Sequence, residues 1–385
     1  MRGMASSSRR RFLATLAAAG PGAAALASLP PWARAVLAAA DPGIFVRNDW
    51  PEHWETSLAA LGGSWVTPTD VFFVRSHFVP PDVDAASWRL EIAGLVETPL
   101  AFALADLRGM PAVDAPITLE CAGNGRGLFR LPSTSGTQWE RGAVGTARWR
   151  GVPLRALLER AGVRPEARHV WFEAADQATL PQAPRFVRSI PLEKAMDDVL
   201  LAYGMNGAPL GKRHGAPLRA IVPGWFGMAS TKWLTRIRVE ATPSDNHFMV
   251  RGYRYTYPGE DPTAAAPVEA LRVKSLITRP LEGSVVRPGP VAMRGFAWAG
   301  AAGVKRVEIS SDGGASWREA TLTGETSPGA WRAWEAQVDA ARSGDLVLLA
   351  RATDGAGETQ PMAARANAGG YGNNSIHQVS VHVRA

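Results

Sequence analysis

The spacing of apolar and polar positions divides the chain into unlike parts. WRLEIAGLV, starting at Trp88, and HVWFEAAD, starting at His169, read as strands. Leu154, Leu157, Leu158 and Ala161 recur at helical spacing and predict a helix, and LEKAMDDVLLAY, from Leu192 to Tyr203, carries the same spacing. Glycine and proline cut these elements into short units, which favours α+β over a regular strand, helix, strand alternation. Beyond residue 270 the rhythm changes to strand-length runs separated by turn residues, the pattern of an antiparallel sandwich. Residues 271–385 are therefore expected to be immunoglobulin-like. Asp312, Gly313 and Gly314 mark a hairpin turn, and Trp317, Trp331 and Trp334 read as packing residues.

Composition sharpens the boundaries. A stretch rich in proline, alanine and acids predicts a linker at 258–270, leaving 41–257 as the mixed domain. Positions 1–40 read as a leader: Ser8, Arg9, Arg10, Phe12 and Leu13 precede an Ala/Leu/Gly run and resemble a twin-arginine export signal. A retained membrane anchor is the alternative, which Pro21 and weak apolarity oppose. The formal charge of +7 shrinks once the leader is set aside: five of the 42 basic residues lie there, and the remaining 37 face 35 acids. No basic stripe interleaved with aromatics remains, so nucleic-acid binding has no support. One cysteine also excludes an internal disulfide.

That cysteine, Cys121, sits in ITLECAGNGRG, where a strand pattern breaks into a loop with glycines at 123, 125 and 127. A lone cysteine is commonly a small buried hydrophobe. Here the glycines let the backbone approach something bulky, and Arg126 can favour the thiolate, the form that binds a soft metal. The seven histidines show no zinc-site spacing, so a metal at Cys121 would take its other ligands from a cofactor.

ECAGNGR resembles the cofactor loop of the sulfite oxidase family of molybdenum enzymes. The likeness continues through FFVRSH (72–77), QWERGAVGTARWRGVPL (138–154), LLAYGMNGAPL (200–210), HGAPLRAIVPG (214–224), TKW (231–233) and the sandwich region. It implies a mixed α+β molybdopterin-binding domain followed by an immunoglobulin-like dimerisation domain. It further implies one Mo-molybdopterin per chain, with Cys121 as the metal ligand. By the same resemblance Phe73, Val74, Arg75, Ser76, His77, Asp176, His214, Arg219, Ser230, Thr231 and Lys232 surround the pterin and its phosphate, while Arg75, Arg126, Trp139 and Tyr253 form the substrate pocket. Ordinary packing is the lesser alternative for Trp139 and Tyr253.

The implied reaction is oxidation of sulfite to sulfate by oxygen-atom transfer in the periplasm, after passage through the twin-arginine export machinery. The chain has no C-x-x-C-H haem signature, so an external c-type cytochrome is the expected electron acceptor, with a homodimer or a heteromer with a cytochrome subunit as the assembly. Two departures stand out. Family members that oxidise sulfite place a further arginine in a Trp-Asn-x-Arg-Gly string; here RANAGGYGNN has Ala366 and Gly369 at those places, with Arg365 nearby as a substitute. Gly252 replaces the acid before Tyr253. A relative acting on another sulfur compound, as a sulfur dehydrogenase subunit or a sulfoxide reductase, is the alternative. A cofactor-free binding or adhesion module is the reading from another class.

Overall fold

The computed structural model describes residues 43–129, 134–178 and 182–384. The leader, with its arginine pair, lies outside them. The amino-terminal domain contains two five-stranded sheets. In one, Val113–Glu120 pairs with Val144–Pro153, which pairs with Leu200–Met205, with Ala208–Pro209 and Arg219–Ile221 against that last strand. The other has the order Leu100–Ala103, Arg89–Gly94, Leu234–Glu240, His169–Ala174, Val187–Pro191, with one parallel pairing between Arg89–Gly94 and Leu234–Glu240. His169–Ala174 buries every second residue, as its apolar and polar alternation requires.

The helix Leu154–Ala161 turns Leu154, Leu157, Leu158 and Ala161 into the core between these sheets. Each fully buried leucine contributes about 1.5–3 kcal/mol. Gly162 ends the helix at φ +70°, where a Cβ would lie 2.7 Å from Glu97 Oε2. The second expected helix is half right. Leu192–Asp197 is helical, but Leu200–Met205 is a strand buried at all six positions. A strand covered on both faces reads as a continuous apolar run, which spacing alone cannot separate from a buried helix.

The carboxy-terminal domain is a two-sheet sandwich, antiparallel except where Val285–Val286 runs parallel to His377–Val383. Lys274–Arg279, Gly289–Trp298, Arg332–Ala340 and Thr321–Thr323 form one sheet. Val285–Val286, His377–Val383, Gly344–Asp354, Val304–Ser310 and Arg318–Glu319 form the other. Ile277, Met293, Trp334 and Val338 meet Val307, Leu348, Ala350 and Val381 between them. Trp331 and Trp334 are buried packing residues, and Gly313 and Gly314 take positive φ in the loop joining Val304–Ser310 to Arg318–Glu319.

A buried polar knot joins the domains. Glu120 Oε1 accepts from Lys274 Nζ and Asn124 Nδ2, each at 2.9 Å, and Oε2 accepts from Trp298 Nε1 at 2.8 Å. Residues 369–373 reach across as well: Gly372 N donates to Ala122 O at 2.8 Å, and Asn373 Nδ2 to Gly125 O at 2.8 Å. The second domain thus holds the segment that follows the strand Val113–Glu120.

Candidate active site

Val113–Glu120 is buried over its last five residues and delivers Cys121 to the sheet end, where Cys121 N donates to Ala143 O at 2.9 Å. The loop then turns through Asn124 N to Cys121 O at 2.8 Å. Its glycines serve the protein itself. A Cβ at Gly123 would lie 2.8 Å from Arg126 Nη2, and one at Gly125, already at φ +88°, would lie 3.0 Å from Asn373 Cβ.

Cys121 lines a cavity at this end of the sheet. Phe73, Val74, Arg75, Ser76, His77, Asp176, His214, Arg219, Ser230, Thr231, Lys232 and Tyr253 all line it, drawn together from six separate chain segments. Arg126 and Trp139 do not. Trp139 is buried with its ring 5.9 Å from that of His53. Arg126 is turned aside, its Nε donating to Gly369 O at 2.9 Å and Nη1 to Thr137 O at 3.0 Å, with Tyr371 beneath its guanidinium. Arg365 does not replace the missing arginine either: it is exposed and paired with Glu260 at 2.7 Å.

The cavity is rich in cations, with Asp176 as the acidic residue of its lining. Lys232 Nζ donates to Ser76 Oγ at 2.8 Å and Arg213 O at 2.9 Å. Arg219 donates to His214 O at 2.9 Å and Ser230 O at 3.0 Å. Neither they nor Arg75 forms an ion pair among the described residues. Arg75 Nη1, Arg219 Nε and Thr231 Oγ1 are buried with no hydrogen-bond partner among the described residues. Each orphaned group costs about 1–3 kcal/mol unless a ligand satisfies it.

Burial dominates the titration here. It pushes Arg219 down to about 9, and pushes Lys232 well below its ordinary value with help from Arg219. His214 and His53 are pushed down to about 4, first by burial and then by neighbouring cations. Arg75 and Arg126 both pull the Cys121 thiol down, as the sequence led us to expect of Arg126, but burial outweighs them and the free thiol sits above its ordinary value. An anionic, phosphate-bearing group and a soft metal are what this donor set would satisfy.

Burial also pushes Asp176 up to about 6, against the pull of Lys232. A carboxyl raised on folding favours the fold below about pH 4 and loses that contribution as pH rises through about 6. Relative to the parent, the Asp176→Asn chain without cofactor is expected to gain about 2–3 kcal/mol between pH 4 and pH 7. His53 and His214 act oppositely in both chains, so the difference between two denaturant-midpoint profiles isolates Asp176. Parallel profiles would refute the assignment.

Several contributors had no signal in the sequence. Phe186 and Met228 line the cavity as unremarked apolar residues. Arg188, buried with its Nε unpartnered, lies 5.3 Å from the Tyr253 ring centroid. Arg213, adjacent to His214, could have been found from the basic run at Lys212 and Arg213.

The chain matches the family model described as oxidoreductase molybdopterin binding domain over residues 77–248, and that described as Mo-co oxidoreductase dimerisation domain over 265–384. It is 34% identical to sulfite oxidase of Arabidopsis thaliana, over 88% of this chain and 93% of the plant protein. The chain belongs to the sulfite oxidase family. Mitochondrial sulfite oxidase of Rattus norvegicus is 36% identical over 89% of this chain, and the match spans 66% of the rat protein. The crystal structure of the sulfane dehydrogenase SoxCD from Paracoccus pantotrophus superposes with a TM-score of 0.76 at 32% identity, covering 88% of each chain. Membership in the family accords with the α+β domain and immunoglobulin-like sandwich described above.

Proposed function

We propose that this chain is a molybdopterin-dependent oxidoreductase that oxidises a sulfur compound, sulfite being the first substrate to test. The supporting observation is the meeting of one cysteine with buried, unpaired cations in a single cavity. Arg219, Lys232, His214, Ser230 and Thr231 hold the phosphate end of the cofactor, and Cys121 offers its one protein thiolate to molybdenum. When bound, the cofactor supplies two-electron oxygen-atom transfer, which no side chain provides. Arg75 draws in the anionic sulfur headgroup with the donor left free at Nη1. Tyr253 hydroxyl and His77 Nε2, 2.7 Å apart, form the polar point of an otherwise aromatic wall.

The reading includes export to the periplasm, supported by Arg9 and Arg10 within the leader, and an external c-type cytochrome as electron acceptor. Assembly as a homodimer is supported by the dimerisation-domain match, and a cytochrome-bearing heteromer is the alternative.

A second reading, sulfane sulfur as substrate, is favoured by Arg126 and Arg365 both lying off the cavity and by the structural likeness to a sulfane dehydrogenase. About one molybdenum per chain and reduction of cytochrome c by sulfite are expected, in keeping with a single metal-binding thiolate. Loaded protein inert to sulfite but reduced by thiosulfate would transfer the assignment to the second reading. Folded chain that takes up no molybdenum under cofactor-producing conditions would end both.

A further inference from the structure

The loop at residues 367–371 of the second domain is built to present one aromatic side chain. Asn367, fully buried, donates from Nδ2 to Tyr371 O at 2.8 Å and accepts from Tyr371 N at 3.0 Å. Gly370, at φ +58°, donates to Asn367 O at 2.9 Å. A Cβ at Gly369 would lie 2.2 Å from the Tyr371 ring. Position 369 and the ring therefore compete for one space, and here the ring has it.

Tyr371 stacks on Tyr253 with ring centroids 5.2 Å apart and planes at 27°. Arg126 lies over the Tyr371 ring at 5.2 Å, while two of its nitrogens are taken by Gly369 O and Thr137 O. Arg126 packs against Gly123, two residues beyond Cys121, and Arg75 shares the cavity lining with Cys121. Of the two arginines, Arg75 alone lines the cavity. The neighbouring surface is aromatic: Phe186 stacks on His77 at 4.0 Å, and Phe248 meets His77 at 4.9 Å.

Resting on the sulfur-oxidoreductase reading, we propose that Tyr371 is a positioning residue that sets substrate choice. By packing beneath Arg126, whose nitrogens donate to Gly369 O and Thr137 O, it helps keep that guanidinium from the cavity. With Arg219 and Lys232 assigned to the phosphate and Arg213 paired with Glu52, Arg75 is left beside an aromatic wall, a site for a singly charged sulfur headgroup carried on an apolar body. A compact dianion binds less tightly here than a monoanion, hydrogensulfite included, because stripping its water requires more than one facing cation. A monoanion with an apolar body needs one cation and gains from burial against rings.

Calorimetric titration of molybdenum-loaded protein with sulfate and with benzenesulfinate tests this. The parent is expected to bind benzenesulfinate about tenfold more tightly than sulfate, the scale of aromatic contact beyond simple burial. Tyr371→Leu removes the ring beneath the Arg126 guanidinium and is expected to tighten sulfate binding about fivefold, the scale of a lost cation–π contact. A merely structural role predicts weaker binding of both anions. Parent protein that binds sulfate as tightly as benzenesulfinate, or a variant whose sulfate affinity does not rise, overturns the proposal. Tyr371→Met gives the same comparison if the leucine variant fails to fold, and the parent's preference is decisive alone. Loaded protein that lacks the preference defeats this inference only, whereas protein without molybdenum defeats the reading beneath it.

Discussion

Cys121→Ser is expected to lower turnover of any sulfur substrate by at least about 10³-fold, because a serine oxygen is a harder and poorer donor than thiolate to a soft metal. The fold should survive. The replacement is close to isosteric, Cys121 is only half-buried, and its backbone bonds to Ala143 and Asn124 do not involve the sulfur. Activity should therefore fall without a matching change in thermal midpoint, and absorption arising from the thiolate on molybdenum should disappear. As Cys121 is the chain's one cysteine, no other protein thiol can take its place. A serine variant with parental turnover would remove the basis of the functional reading.

Lys274→Met should cost about 3–5 kcal/mol, the largest stability effect expected of a single side chain here. Lys274 and Glu120 are both almost fully buried and 2.9 Å apart. Removing the ammonium leaves Glu120 ionised in a low-dielectric seam, with only Asn124 and Trp298 as donors. Replacing both members, as Lys274→Met with Glu120→Gln, should recover most of that loss, since a buried pair is costly chiefly when one partner is missing. Denaturant midpoints of the parent, both single variants and the double variant close the cycle. A lysine variant within about 0.5 kcal/mol of the parent would show that the pair is solvated after all. Glu120 immediately precedes Cys121, so the lysine variant should also retain less molybdenum.

Much of the site was legible in its strings: Cys121 stands at a strand end among glycines, and the strings that hold Arg219, Lys232 and Tyr253 carry the family resemblance. These are local facts, and their convergence on one cavity follows from sheet pairing that brings strand ends together. Arg126 misled for the same reason that it attracted notice. It is close to Cys121 in sequence, yet its direction is set by Gly369 and Thr137, one of them 243 residues away. Arg188 gave no sign because a buried arginine inside a strand reads as an ordinary polar position until its unpartnered Nε and its place over the Tyr253 ring can be seen.

Local spacing and residue chemistry determined the kinds of parts this chain would have: short alternating strands, one amphipathic helix at Leu154–Ala161, a sandwich after residue 270 and a lone thiol poised at a loop. Such features depend on neighbours a few positions apart, whose relations the covalent chain already sets. Tertiary structure alone decided that Leu200–Met205 is a strand, that Glu120 is neutralised by Lys274, and that Tyr371 rather than a cation stands at the aromatic wall. Each of those outcomes depends on which distant groups are brought together and on which of them lose their water.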